Sequence, residues 1–266
     1  MRRIDFIGPS AVGKSTLYKA ILNLRKESDF IYSQDEELMN IYINRGLNSS
    51  SLKNYLKAQL IRKNLFSGRH LKWAKSFATK EIGEEIESEI NLYSGLFDIF
   101  LQGLYKIDSL SAARKCLFAK FYIGLLQRLS KITYFETGNI VMTEESVTNN
   151  NLGLISSDQY REHISADSKE WNRSTPTAVV YCMHPSLELY YQRRLKRIEL
   201  RKQITYLDDG VKGEQLFKLC KDSRLSNENK AKVMREIGVP VLNVDMSFPV
   251  EENVHKVMKF LREINR

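Results

Sequence analysis

Cysteine is scarce and scattered in this chain. Cys116, Cys182 and Cys220 are its three cysteines and form no CxxC pair, which excludes a disulfide framework and a cysteine-based zinc site. Cys182 lies in an apolar run and is expected to be a small buried residue. The four histidines add no HExxH or comparable metal spacing. Proline is rare too, and residues 38–135 contain none. No apolar run approaches the ~20 residues needed to cross a bilayer. The opening Met1-Arg2-Arg3-Ile4-Asp5-Phe6-Ile7 reaches Gly8-Pro9 too soon to house a signal-peptide core. A cytoplasmic protein with no membrane partner is the resulting expectation. There is no internal repeat and no low-complexity segment.

What is present is an ordinary globular composition, 42% hydrophobic and 27% charged over 266 residues. That length suits one large α/β domain with an insertion, or two small domains. Lys and Arg total 41 against 32 Asp and Glu, a formal charge of +9. A positive field favours polyanions such as nucleotides, nucleic acid, anionic lipid or acidic glycan, although a basic surface also serves solubility alone.

Apolar periodicity predicts short strands at 3–7, 30–33, 139–143, 176–183 and 239–244, separated by helices. An amphipathic helix over Lys14–Arg25 puts Leu17, Ala20, Ile21 and Leu24 on one face. Residues 38–135 lack strand alternation and read as helices, clearest at 51–66, 80–93 and 112–129. In the last, Leu117, Phe118, Phe121, Leu125 and Leu129 form an apolar face expected in the core. Leu187–Leu200 is a basic helix with Ser186 as its N-cap, and Val250–Ile264 a terminal amphipathic helix. Strands alternating with helices imply βαβ crossovers and a mainly parallel five-stranded sheet covered on both faces. The chain is expected to be a single α/β domain, with 38–135 as a helical insertion capping the carboxyl end of the strands and about 186–235 as a lid-like helical region. Ligands of open α/β sheets bind at that end.

The strongest signal is Gly8-Pro9-Ser10-Ala11-Val12-Gly13-Lys14-Ser15, a GxxxxGK[ST] loop between a strand and a helix, followed by Thr16. Its glycines let successive N–H groups point at phosphate oxygens, and the helix presents its positive end to the same anion. Lys14 would reach the β- and γ-phosphates of ATP and Ser15 would ligate Mg²⁺. The metal also needs an acid at a neighbouring strand end, and Ile140-Val141-Met142-Thr143 runs into Glu144 and Glu145. Adjacent residues on an extended strand face opposite ways, so one of the two is expected to point at the metal, Glu144 before Glu145.

A third group is Arg193, Arg197 and Arg201, which recur every four residues and line one helical face. Guanidiniums so placed repel each other unless an anion or carboxylates lie between them, and a transferring phosphoryl group is such an anion. The competing reading is a solvated basic face paired with Glu188 and Glu199, and a nucleic-acid-binding helix has the same appearance.

Together these pieces resemble the P-loop kinases of the deoxynucleoside kinase and thymidylate kinase group. The resemblance covers the first 25 residues, the strand 139–146, and the stretch from Pro176 to about Arg201. Met183-His184-Pro185-Ser186 and Gln192-Arg193-Arg194-Leu195-Lys196-Arg197 match the group's strand end and the Arg-x-x-x-Arg that opens its lid. Val241-Leu242-Asn243-Val244-Asp245 is similar to its last strand. Glu144-Glu145-Ser146 departs from the group's Glu-Arg-Ser, putting Glu145 where an arginine helps hold the acceptor.

The resemblance implies a P-loop three-layer sandwich and transfer of the γ-phosphoryl group of Mg-ATP. It also implies a carboxylate base just after the second strand, where Asp35 and Glu36 stand. Acceptor-reading residues are expected among the 38–135 helices, where Arg69, His70 and Trp73 form a basic-aromatic cluster. The leading expectation is a kinase of a small-molecule acceptor such as a nucleoside or nucleotide. Its alternatives are a kinase of nucleic acid and a nucleotide-gated regulatory ATPase with a protein partner. GTPase status is disfavoured because Asn229-Lys230-Ala231-Lys232 lacks the acid of an NKxD motif. The oligomeric state is open, a homodimer included.

Overall fold

The computed structural model describes residues 2–64, 93–108, 110–135, 137–166, 168–201 and 213–264. Its first half runs β1 (Arg2–Ile7), α1 (Lys14–Leu24), a 3-10 turn (Glu27–Asp29), β2 (Ile31–Ser33), α2 (Gln34–Leu47), α3 (Leu52–Asn64), α4 (Ser94–Tyr105) and α5 (Ala112–Tyr134). The second half runs β3 (Ile140–Thr143), α6 (Val147–Asn150), α7 (Ser157–His163), α8 (Lys169–Ser174), β4 (Ala178–Met183), α9 (Leu187–Arg201), α10 (Gly213–Glu236), β5 (Val241–Asp245) and α11 (Val250–Ile264). Residues 80–92 of the helix expected over 80–93, residues 65–66 of that expected over 51–66, and the Arg69–His70–Trp73 cluster lie outside the described residues.

The five strands form one sheet in the order β2-β3-β1-β4-β5, and every neighbouring pair is parallel. Residue alternation sorts the strand side chains onto two cores. Ile4, Phe6, Ile140, Met142, Val180 and Cys182 meet Leu17 and Ile21 of α1 and Val254, Val257 and Leu261 of α11. On the opposite face Ile7, Val179 and Tyr181 meet α4, α5 and α10 through Leu96, Phe100, Tyr122, Leu125, Val233 and Met234. A parallel sheet needs both faces covered, because its strands are apolar on both sides.

Serines start many of the helices. Ser33 and Glu36 form a reciprocal capping box at α2, and Ser111, Ser146, Ser156 and Ser168 cap α5 to α8 with their hydroxyls. Ser186 Oγ accepts from Leu189 N–H at 3.2 Å at the start of α9, as its sequence position suggested.

One expectation is corrected, the buried face of α5. Leu38 of α2 packs on Val141 and Ile132, and α4 and α5 form the helical layer over one face of the sheet. The apolar surface of that face has to be covered, and these helices carry the side chains that cover it. Within α5 the buried stripe runs through Tyr122, Leu125, Leu126, Leu129 and Ile132, whereas Leu117 is 49% and Phe121 47% exposed. A stripe stepping by four and three through Phe118, Tyr122, Leu125 and Leu129 leaves Leu117 and Phe121 about 100° round the helix from it.

One buried polar group crosses the sheet. Asp5 accepts from Thr143 Oγ1 at 2.6 Å and Thr148 Oγ1 at 2.5 Å, and pairs with Arg3 Nε at 3.0 Å. Arg3 in turn donates to the carbonyls of Arg173 (2.9 Å) and Ser174. A charge out of water needs such partners, and together they tie β1 to β3, α6 and α8.

Candidate functional site: the glycine loop and its surroundings

The loop leaves the central strand β1 at its carboxyl end, where the ends of β3 and β4 flank it. Two glycines are dictated by its path. Gly8 has φ 145°, and a Cβ there would stand 2.3 Å from the Cys182 carbonyl oxygen of β4. Gly13, at φ 114°, is the N-cap of α1, and a Cβ there would meet Met246 Cε at 3.0 Å. Ala11 between them is also left-handed, at φ 69°. Pro9 and Val12 are buried, and Ser10 lies half-buried at the crest of the turn.

No side chain caps Gly13. Thr16 N–H bonds the Gly13 carbonyl at 3.0 Å, whereas the N–H groups of Lys14 and Ser15 precede the first intrahelical acceptor and point out of the helix end. This is the geometry that receives an anion.

Lys14 folds over the loop, donating Nζ to the Gly8 carbonyl and, at 3.1 Å, to that of Pro9. Burial pushes its ammonium below its usual value, while neighbouring Glu145 and Glu144 pull the other way. Burial also pushes the adjacent Cys182 thiol up to about 12, so it is neutral at pH 7.

Ser15 Oγ donates to Glu144 Oε1, which brings the two sequence-predicted metal residues together. Glu145 is more exposed and its carboxylate accepts from Asn150 Nδ2 at 3.2 Å. Hydroxyl plus carboxylate is a hard-oxygen set that fits Mg²⁺, which keeps several waters and takes one or two protein oxygens. Among the described residues no group of three His, Cys, Asp or Glu side chains converges as an all-protein cage.

Two of the α9 arginines, Arg193 and Arg197, reach the same loop, while the side chain of Arg201 lies outside the described residues. Arg193 Nη1 donates to the carbonyls of Val12 (3.4 Å) and Met246 (3.2 Å), and Arg197 Nη1 to Ser10 Oγ (3.2 Å). His184, at the end of β4, is held below its usual value by burial and by Arg193, and its Nδ1 accepts from Ser186 N–H at 3.3 Å. Asp245, at the end of β5, accepts from Ser247 N–H (2.8 Å) and Oγ (2.7 Å).

The pair after β2 separates into two environments. Glu36 is committed to structure: both its oxygens take Arg25, at 2.6 and 2.9 Å, and Oε2 also accepts from Ser33 N–H. Burial acts to raise its carboxyl, but the Arg25 and Ser33 hydrogen bonds prevail and hold it below the usual range. Asp35 lies half-buried in the first turn of α2 without a part in that box.

Several residues at the loop were missed in the sequence. Gly8 N–H is shared between Asn149 Oδ1 (3.0 Å) and Asn227 Oδ1 (3.1 Å), and buried Lys230 donates Nζ to the Asn149 carbonyl. The run Asn149-Asn150-Asn151 just beyond a strand end was a usable signal for the first. Asn227 and Lys230 sit in a charged helix with nothing in their spacing to mark them.

No protein-family model matches the chain, and comparison with curated proteins gives no match either. Among the described residues no helix is long and apolar enough to cross a membrane.

Proposed function

We propose that the chain is a Mg-ATP-dependent kinase with a P-loop sandwich fold, transferring the γ-phosphoryl group to a hydroxyl or phosphate of a small-molecule acceptor, a nucleoside or nucleotide first among them. The observation that carries the reading is convergence on one loop. The Ser15–Glu144 pair lies on one side of it and Arg193 and Arg197 on the other, from elements about 130 and 180 residues apart in sequence. A nucleotide-gated switch has no evident need for that arginine face.

In this reading the Lys14 and Ser15 N–H groups bind the phosphates, and Lys14 turns from the Gly8 and Pro9 carbonyls to phosphate oxygens. Ser15 and Glu144 would hold Mg²⁺, which when bound would supply positive charge to offset that of the phosphates. Arg193 and Arg197 stabilise charge on the side facing solvent and help exclude water. Of the two carboxylates after β2, Glu36 is held by Arg25 and Ser33, so Asp35 would accept the acceptor's proton.

The test is ATP consumption by the purified chain across nucleosides, nucleotides, sugars and modified DNA, with and without Mg²⁺. Turnover should rise with one acceptor class and fall by about a hundredfold or more in Lys14→Ala while its circular dichroism is retained. Turnover that survives in that variant removes the loop from the mechanism. Stimulation by DNA alone, weakening steeply with salt, moves the acceptor to nucleic acid.

A further inference from the structure

Beneath the loop lies a buried polar cluster that none of the roles above uses. Asn149 is its centre: its side-chain oxygen takes the Gly8 N–H at 3.0 Å, and its backbone oxygen takes Lys230 Nζ. Asn227, one turn before Lys230 on α10, takes the same Gly8 N–H at 3.1 Å and anchors its own amide on the Ser223 carbonyl at 2.8 Å. Lys230 is only 4% exposed. Gly8 is therefore gripped from both ends, its carbonyl by Lys14 and its N–H by the asparagines that Lys230 and α10 hold in place.

The charge balance of this cluster is incomplete. The charged group acting on Lys230 is Lys14, of the same sign. From α6 it meets the neutral Asn149, and β4, which packs on α10, turns Tyr181 to that face, pushed up to about 12 by burial and neutral at pH 7, beside the mutually paired Arg224 and Glu228 of α10. From α7, Arg161 reaches α10 at the Glu236 carbonyl, and on the β5 side Asn243 Oδ1 takes Arg235. Among the described residues no carboxylate pairs with Lys230. Burial first, and Lys14 second, lower its ammonium to about 7. A bound polyphosphate would supply the counter-charge that Lys230 lacks and add to that which Glu144 and Glu145 give Lys14.

We propose that Lys230 is a positioning residue of the loop, taking up a proton from solvent when a polyphosphate binds and thereby locking Asn149 against the Gly8 N–H. The inference rests on reading the loop as a triphosphate site. It makes α10 part of that site although α10 contributes no phosphate contact of its own.

The experiment is calorimetric titration of the full chain with Mg-ADP at pH 8, in two buffers of different ionisation enthalpy. At pH 8 a group titrating at about 7 is about nine-tenths neutral, so wild type should take up between about a half and one proton per Mg-ADP bound. Its affinity should fall by up to about tenfold per pH unit between pH 7.5 and 9. Lys230→Met should bind with no uptake and a flat pH profile. Lys230→Gln serves the same comparison should Lys230→Met fail to fold, because it still donates a hydrogen bond but does not titrate. Binding without uptake in wild type, or equal uptake in wild type and variant, overturns the inference and leaves the triphosphate reading standing. Absence of Mg-ADP binding overturns both.

Discussion

Lys230 also makes a prediction that does not depend on any ligand. Burial lowers its folded-state ammonium to about 7 against 10.5 for a solvated lysine. Below about pH 7 both folded and unfolded chains are protonated, and burial of the charge costs stability in full. Between 7 and 10.5 the unfolded chain binds the extra proton, so stability from this site rises with pH, by at most about 1.4 kcal/mol per unit. Lys230→Met removes the titration. Its stability relative to wild type should therefore be most favourable at pH 6.5 and decline steadily at pH 8 and 9.5 in urea unfolding. A pH-independent difference would mean that Lys230 titrates alike in the folded and unfolded chain. Such a residue is invisible in sequence, because Asn229-Lys230-Ala231-Lys232 looks like any solvated helix face. Burial is decided by which side of α10 meets β4, and one chain's spacing does not specify that.

Local elements were far more legible. Each of the strands expected from apolar runs forms within two residues of its expected start, because β-branched and aromatic clusters bounded by turn residues have few alternatives. The loop, too, was readable as a unit, since its glycines, lysine and serine are contiguous. Helix faces were read less well: in α5 the apolar residues outnumber those that one stripe can bury, so the sequence offered two neighbouring faces and the structure buries the one led by Tyr122. The capping box of α2 gives a separable prediction. Ser33→Ala removes the acceptor for Glu36 N–H and leaves the Arg25–Glu36 pair, and should cost about 1 kcal/mol. Glu36→Ala loses both the charged pair with Arg25 and half of the box, and should cost more than Ser33→Ala at pH 7. Because the Glu36 carboxyl is held below its usual range in the folded state, that excess is present at neutral pH and shrinks as acid protonates it. Equal losses for the two variants in denaturant unfolding would show that the ion pair adds nothing to the cap.

At the scale of the whole molecule, sequence order and spatial order diverge, and the site depends on that divergence. Strand β1, first in the chain, is central in the sheet, so the residues that follow β3 and β4 converge on the loop from either side. Ser15 and Glu144 belong to separate elements that meet only when β1 and β3 pair in register, Asp5 opposite Thr143. A metal held between them would therefore link binding to the integrity of the sheet. Mg-ATP at a hundred times its dissociation constant should stabilise the fold by about 2.7 kcal/mol, read as a rise of a few degrees in thermal midpoint. ATP with a chelator should give a smaller rise. Ser15→Ala and Glu144→Gln should each reduce the Mg²⁺-dependent part of the shift, and the double variant should lose little more than the worse single one, because both act on one ion. Additive losses would instead assign the two residues to separate contacts, and the metal would then have to be sought at Glu145.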